Sequence, residues 1–148
     1  MKSIFNSNDN QEMIERIQNL NYNSKAQWGK MDVSQMMSHC IAPIDFLYGG
    51  SEMKANFFLG LLGRMMKKNI LNQPNFKKNS PTAPSFIKTG NYDFEETKKE
   101  LIEKVIGFRQ GHSVIKSSKH PFFGPMSNDE WDKLMWKHLD HHMVQFGV

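Results

Sequence analysis

Residues 127–148 read S-N-D-E-W-D-K-L-M-W-K-H-L-D-H-H-M-V-Q-F-G-V, and this stretch decides how the rest of the chain is interpreted. Ser127 followed three positions later by Glu130 is a capping-box signature for the start of an α-helix. Six later residues recur at intervals of three and four, as the side chains of one helix stripe do: Trp131, Leu134, Met135, His138, His142 and Gln145. The sequence therefore predicts a helix over 128–146 whose core-facing stripe is apolar at its start and carries imidazoles at its end.

Two histidines one helical turn apart can bind the same metal ion. His138 and His142 have this spacing, but such pairs also arise on solvated helices, so a metal site needs a third ligand. His39 is a candidate, because it lies on the apolar face of a second predicted helix. Three histidine ligands would leave one position of a tetrahedral site open for water or substrate. The alternative is that each is a satisfied core or surface histidine, and the spacing leaves both interpretations open.

The composition favours a single soluble domain. The 148 residues are 39% hydrophobic and carry a formal net charge of +4, which is a smaller excess than nucleic-acid binding usually requires. A single cysteine, Cys40, excludes an intramolecular disulfide and suits a reducing compartment. The first residues lack the apolar core of a secretory signal, and no run approaches the ~18 apolar residues of a membrane span. We expect one cytoplasmic domain over 1–148, with no transmembrane segment and no nucleic-acid partner.

Polar N-caps predict three further helices of an all-α fold. These helices, each with its expected N-cap, are 8–20 (Asn8), 33–48 (Asp32) and 94–109 (Asp93). Pro43 would remove a hydrogen bond inside the second of them. We expect that helix to kink there and continue, because its apolar pattern runs on to the Gly49-Gly50 pair.

Residues 49–92 form the longest connection, and a short helix is predicted within 54–68. From Lys54 to Tyr92 there are seven basic residues and no acidic one. A basic, apolar helix of this kind could lie on an anionic membrane surface. The favoured interpretation is that it covers the other helices or a subunit interface, because Gly60 and Gly63 weaken an isolated amphipathic helix. A symmetric homodimer with 54–68 at or near the contact is one expectation.

Several residues near the histidines have two interpretations. Gln145, three residues after His142, could support a ligand imidazole or bind backbone groups inside the core. Cys40 is not expected to be a nucleophile, because a lone helical cysteine is usually a small buried hydrophobe. His141 points about 100° away from His142 on a helix and is left out of the candidate site. The H-P-F-F-G segment at 120–124 is expected to fix the start of the last helix.

Three segments carry a resemblance to the DinB-like superfamily. They are W-G-K-M-D-V-S-Q-M-M-S-H-C at 28–40, H-P-F-F-G at 120–124 and W-K-H-L-D-H-H at 136–142. The resemblance covers most of the chain and is closest to a branch of unassigned function. It implies a four-helix bundle with a long crossover between helices 2 and 3, which suits the long connection found here. It also implies a metal site on His39, His138 and His142, for which we expect zinc or nickel.

The resemblance implies an activity that the residues alone do not. Relatives in the superfamily include metal-dependent S-transferases that use low-molecular-weight thiols, whose thiol pKa the metal lowers. On that interpretation the basic connection would bind an anionic thiol such as bacillithiol or glutathione. The alternative is a non-catalytic protein that binds a metal or another small ligand, because one bundle hosts many activities. No general base stands out, since Asp140 lies in H-L-D-H-H rather than in the H-E-x-x-H motif of metalloproteases.

Overall fold

The computed structural model of the chain describes residues 2–52, 57–80 and 86–148, with the side chains of all but 57–59. Its described part is mostly helical, as the all-α prediction requires. The α-helices are α1 (Ser7–Asn19), α2 (Val33–Leu47), α3 (Phe57–Asn72), α4 (Phe94–Gly107) and α5 (Asn128–Gln145). A 3-10 helix over Phe108–Val114 continues α4, and the two-residue strands β1 (Lys119–His120) and β2 (Gly124–Pro125) pair antiparallel.

Side-chain caps set most of the helix starts. Reciprocal capping boxes are present at Asp32 with Gln35 and at Ser127 with Glu130, which confirms the predicted starts of α2 and α5. The prediction for α1 was wrong by two residues. Asn6 is its N-cap and accepts hydrogen bonds from the next backbone N–H groups, so the predicted cap Asn8 lies inside the helix.

The ends of the other helices lie within four residues of the prediction. The second helix continues through Pro43, as expected from its apolar pattern, and ends at Leu47. The helix expected within 54–68 is observed as Phe57–Asn72, and it ends four residues later than predicted. Positions 54–56 of that prediction lie outside the described residues.

The core lies between α1, α2, α4 and α5. Helix α2 packs against α4 and α5, and α1 also packs against α4 and α5. The largest fully buried side chains include two aromatic groups and aliphatic or thioether groups from all four helices: Phe108, Trp131, Met13, Ile17, Met36, Leu47, Leu101 and Met135. This packing brings the middle of α2 against the C-terminal half of α5.

Helix α3 packs against α5 and the β-hairpin. Its packed side includes the buried Leu71 and two glycines: a Cβ at Gly63 would lie 2.4 Å from the Phe122 carbonyl oxygen, and one at Gly60 would lie 3.3 Å from that of Pro121. The large apolar side chains Leu61, Leu62, Met65 and Met66 are exposed. These four side chains therefore do not cover the other helices.

No helix within the described ranges is long and apolar enough to cross a membrane.

Candidate metal centre

Three histidines from two helices meet in the core. His39 comes from α2, and His138 and His142 come from successive turns of α5. One ring nitrogen of each lies within 4.8 Å of the other two, and the Nε2 atoms of His39 and His138 are 2.9 Å apart. His39 and His142 are only 4% and 6% exposed. The structure thus brings together the three residues that the sequence singled out.

Hydrogen bonds orient two of the three rings. Nδ1 of His39 lies 2.9 Å from the carbonyl oxygen of Phe86, and Nδ1 of His142 lies 2.7 Å from Oε1 of Gln145. Both partners are acceptors, so each Nδ1 must carry the proton and donate. The Nε2 atoms of His39 and His142 are then unprotonated, and their lone pairs are directed at the shared space. This is the tautomer that a histidine needs to bind a metal through Nε2.

Gln145 is itself held in place. Its side-chain NH₂ donates to the Trp28 carbonyl at 2.7 Å, and its backbone carbonyl accepts from the Gln27 N–H at 2.8 Å. Gly29 has φ +84°, and a Cβ there would lie 2.7 Å from Nε2 of Gln145. Only glycine allows the turn to approach the carboxamide so closely. Gln145 therefore contacts a candidate ligand imidazole and the backbone at once.

Burial keeps the three imidazoles neutral. Desolvation lowers the pKa of all three, to about 3 for His142 and well below the usual range for His138. The neighbouring histidines lower these pKa values further, because each imidazolium would repel the next. At neutral pH the three imidazoles are therefore uncharged, as metal binding requires. Nε2 of His138 lies 2.9 Å from the unprotonated Nε2 of His39 and so carries a proton, which would have to leave before His138 bound a metal through that atom.

The donor set fits a tetrahedral ion after small adjustments. Nitrogens bound at 2.0–2.1 Å to one tetrahedral zinc ion lie about 3.3 Å apart. The 2.9 Å between His39 and His138 would have to open slightly, and the wider separations would have to close. In the described part of the chain no carboxylate joins the three histidines. Asp140 forms an ion pair with Arg16 at 2.6 Å instead.

The other candidate residues take structural positions. His141 is half-buried and packs edge-on against Trp28 and Phe76, with ring centroids 5.6 and 5.9 Å away. Cys40 is fully buried, and burial raises the pKa of its thiol, which makes it a poor nucleophile. His120 lies in the hairpin, where its Nδ1 accepts from the N–H groups of Phe122 and Phe123. These three placements agree with leaving them out of the metal site.

A cleft of about 430 Å³ lies between α2 and α4 and is connected to the histidine site through Phe86. Phe86, whose carbonyl holds His39, lines this cleft, and its ring meets the His39 ring edge-on at 6.1 Å. Lys88 lines the same cleft and lies near enough to His39 to lower its pKa. No sequence pattern points to Phe86, because a backbone carbonyl can come from any residue type. Trp28 and Gly29 carry a weak signal, because they belong to the segment at 28–40 on which the family resemblance rests.

The model of a protein family described as protein of unknown function, DUF1569, matches residues 2–147. The chain belongs to this family. No curated protein and no solved structure matches the chain. The family description assigns no activity, so the chemistry of the three-histidine site has to follow from its geometry.

Proposed function

We propose that this member of the DUF1569 family is a divalent-metal-binding protein with a DinB-like four-helix architecture. Helices α1, α2, α4 and α5 form the bundle, and His39, His138 and His142 are the ligands. The observation that carries the proposal is the pair of hydrogen bonds that turn two buried imidazoles toward each other, from His39 to Phe86 and from His142 to Gln145. Fixing ring orientation in this way is what outer-shell partners do at histidine metal sites.

Three imidazole donors suit zinc or nickel, and they do not distinguish these two ions from copper or iron. A divalent ion held by three protein ligands keeps a position for a small molecule and acts there as a Lewis acid that lowers the pKa of a bound water or thiol. The chain's own contribution is to exclude water from His39 and His142 and to keep their rings in one tautomer.

The activity that suits such a site is S-transfer with a low-molecular-weight thiol as cosubstrate. Bacillithiol and glutathione are anionic, and Lys88 lies near enough to His39 to supply a positive charge beside it. The cleft between α2 and α4 is a poor approach for an anion, because Asp45, Glu52 and Glu100 line it together with Lys88. The protein thiol Cys40 takes no part, because it is buried and its pKa is raised. We propose Lys88 as a residue that orients the anionic thiol beside His39.

A non-catalytic metal- or ligand-binding protein is the second candidate. The observation that favours it is the engagement of Asp140, the acidic residue nearest the histidines in sequence, by Arg16. Within the described ranges no carboxylate adjoins the three imidazoles as a general base. A thiol acidified by a metal would need no such base, whereas hydrolysis usually would.

Metal content tests the site. The protein should be purified without a polyhistidine tag, and its zinc and nickel measured by elemental analysis for wild type, His142→Ala and His141→Ala. We expect about one ion per chain in the wild type and in His141→Ala, and near-complete loss in His142→Ala, because two imidazoles hold a divalent ion poorly. His141→Ala is the matched control, since it removes the adjacent imidazole and leaves the three ligands. Retention of metal by His142→Ala would refute the site.

Single-turnover conjugation separates the two functions. The metal-loaded protein is mixed with bacillithiol or glutathione and a panel of electrophiles, and adduct formation is followed. The enzyme interpretation predicts conjugation that is lost in His142→Ala and kept in Cys40→Ala. Stoichiometric metal without conjugation of any electrophile would favour the binding protein. Conjugation that survives in His142→Ala would place the chemistry elsewhere.

A further inference from the structure

Helix α3 presents its apolar side chains to solvent. Met65 is 77% exposed, and Leu61, Leu62 and Met66 are 51%, 53% and 43% exposed. At 100° per residue these four span an arc of about 140° on one side of the helix. The opposite side carries the glycines that pack against the hairpin. Helices of water-soluble domains ordinarily bury their apolar stripe, whereas α3 exposes these four apolar side chains.

This orientation is fixed by polar contacts. Nζ of Lys67 donates to Glu130 and to the Pro125 carbonyl, both at 2.8 Å. At its C-terminal end, the buried Lys137 of α5 donates to the last carbonyls of α3 and the turn after it, those of Ile70, Leu71 and Gln73. Carbonyls at a helix C-terminus are favourable partners for a cation. The C-terminal half of α3 is therefore tied to α5 and the hairpin, and the glycines hold the preceding turns against the hairpin with the exposed apolar side chains facing outward.

The charge around this face has one sign. No acidic residue occurs from Met53 to Tyr92, whereas seven basic residues do. On α3 itself Arg64 and Lys68 are exposed. They lie about 60° and 20° around the helix from Leu61, at the edge of the apolar arc. An apolar stripe bordered by cations is the pattern of a helix that lies in the interface of an anionic membrane.

We propose that the face formed by Leu61, Leu62, Met65 and Met66 binds an anionic lipid surface, with Arg64 and Lys68 at the headgroups. A second copy of the chain is a poorer occupant. A two-fold contact through this face would bring basic helices together with no acidic residue of α3 to pair them. Stable interfaces also bury about 800 Å² and about 20 or more residues per partner, far more than four side chains provide.

Vesicle flotation tests the proposal. The metal-loaded protein is mixed with vesicles of phosphatidylcholine alone or of equimolar phosphatidylcholine and phosphatidylglycerol. We expect binding only to the anionic vesicles, and weaker binding as salt is raised, because the Debye length shortens. The double variant Leu62→Gln, Met65→Gln should bind at least about tenfold more weakly, since membrane affinity scales with buried apolar area. Ile106→Gln, an exposed apolar residue of α4, is its control and should bind like wild type.

A matched pair of lysines tests the charge. Lys68→Gln should weaken binding about fivefold, because a basic residue near an anionic surface contributes about 1 kcal/mol. Lys99→Gln, at an exposed position of α4, should leave vesicle binding nearly unchanged. All substitutions are at exposed positions, and circular dichroism together with bound metal will verify folding independently of lipid.

Three outcomes would overturn the proposal. Equal binding to both vesicle types would show that the cations do not contribute. Absence of binding at low salt by folded, metal-loaded wild type would show that this face does not bind a membrane. A dimer in sedimentation velocity that dissociates in the Leu62→Gln, Met65→Gln variant would make this face a subunit interface instead. None of these results bears on the three-histidine site, whose metal content is measured separately.

Discussion

Helices α5 and α3 lie side by side, yet they use their side chains in opposite ways. α5 buries nearly its whole length, and even Lys137 and His142 point inward. α3 buries two glycines and Leu71 and exposes Leu61, Leu62, Met65 and Met66. The start and the buried face of α5 are determined by its own residues, namely its capping box and its apolar stripe. The position of α3 depends on groups from elsewhere, namely the hairpin carbonyls and Lys137. A helix specified locally can be predicted from its sequence, and one specified by its neighbours cannot.

The hairpin between these helices should be one acid-sensitive part of the molecule, besides the three-histidine site. Burial lowers the pKa of His120 to about 4 from 6.5, and its Nδ1 accepts two backbone hydrogen bonds that protonation would break. The unfolded chain binds this proton at a higher pH than the folded chain does. Stability from His120 is therefore complete above pH 6.5 and is lost as the pH falls toward 4. The expected total loss is about 3 kcal/mol.

Urea denaturation of metal-free protein across this pH range measures the effect. Asparagine can accept the same kind of backbone hydrogen bond and does not titrate. We expect His120→Asn to lose about 3 kcal/mol less than wild type on acidification, while the other buried histidines contribute equally to both. Identical pH dependence in the two proteins would show that His120 is not the titrating group.

The glycines of α3 offer the next largest effect. A Cβ at Gly63 would overlap the Phe122 carbonyl, whereas one at Gly60 would lie 3.3 Å from a carbonyl oxygen and could be accommodated by a small shift. Overpacking costs about 1–3 kcal/mol, and alanine gains about 1 kcal/mol over glycine inside a helix. We expect Gly63→Ala to destabilise the protein by about 2 kcal/mol and Gly60→Ala to be nearly neutral.

Chemical denaturation of the two variants compares them directly. Equal stability would mean that α3 does not depend on close approach to the hairpin, and the contrast between α3 and α5 would fail. Lys99 is an exposed residue in the middle of α4, where a substitution meets no neighbouring element. A third variant, Lys99→Ala, therefore serves as the reference for a change in helix propensity alone.

At the metal end of α5, Gln145 should tune affinity without being a ligand. Gln145→Ala removes the acceptor of His142 Nδ1 and the donor to Trp28. Loss of an outer-shell partner lowers metal affinity about 10–100-fold. Competition with a chromophoric chelator measures this, and Gln145→Glu should restore affinity at least in part, because a carboxylate also accepts from Nδ1. Gln145→Ala with unchanged affinity would show that the His142 ring needs no support.

The same distinction explains what the sequence could predict. His39, His138 and His142 were found because each interrupts an apolar stripe, and a stripe is a property of one helix. The carbonyl of Phe86 and the turn at Trp28–Gly29 reach the site through tertiary packing, and no local pattern encodes them. The outward face of α3 was undecidable from composition, since an apolar helix can be buried or exposed. The class of fold followed from periodicity, while the path of 49–92 did not.

The smallest expected effects concern the helix caps, where local prediction failed once. Near the start of α1 both Asn6 and Asn8 are competent N-caps by residue type. Asn6 wins because the chain before it is held from elsewhere: the Ile4 N–H donates to Asp132 of α5 at 2.8 Å, and the Ser3 N–H donates to Asp9. Asn6→Ala should therefore cost about 1 kcal/mol, as Ser127→Ala should at the start of α5. Asn8→Ala should change stability by only a few tenths of a kcal/mol, since alanine is the better helix former at an exposed position. Thermal unfolding of the three variants, measured together with wild type, orders them. If Asn8→Ala were the more harmful of the two asparagine changes, the helix would start where the local sequence pattern puts it. The contact between the N-terminal segment and α5 would then have no part in choosing the cap.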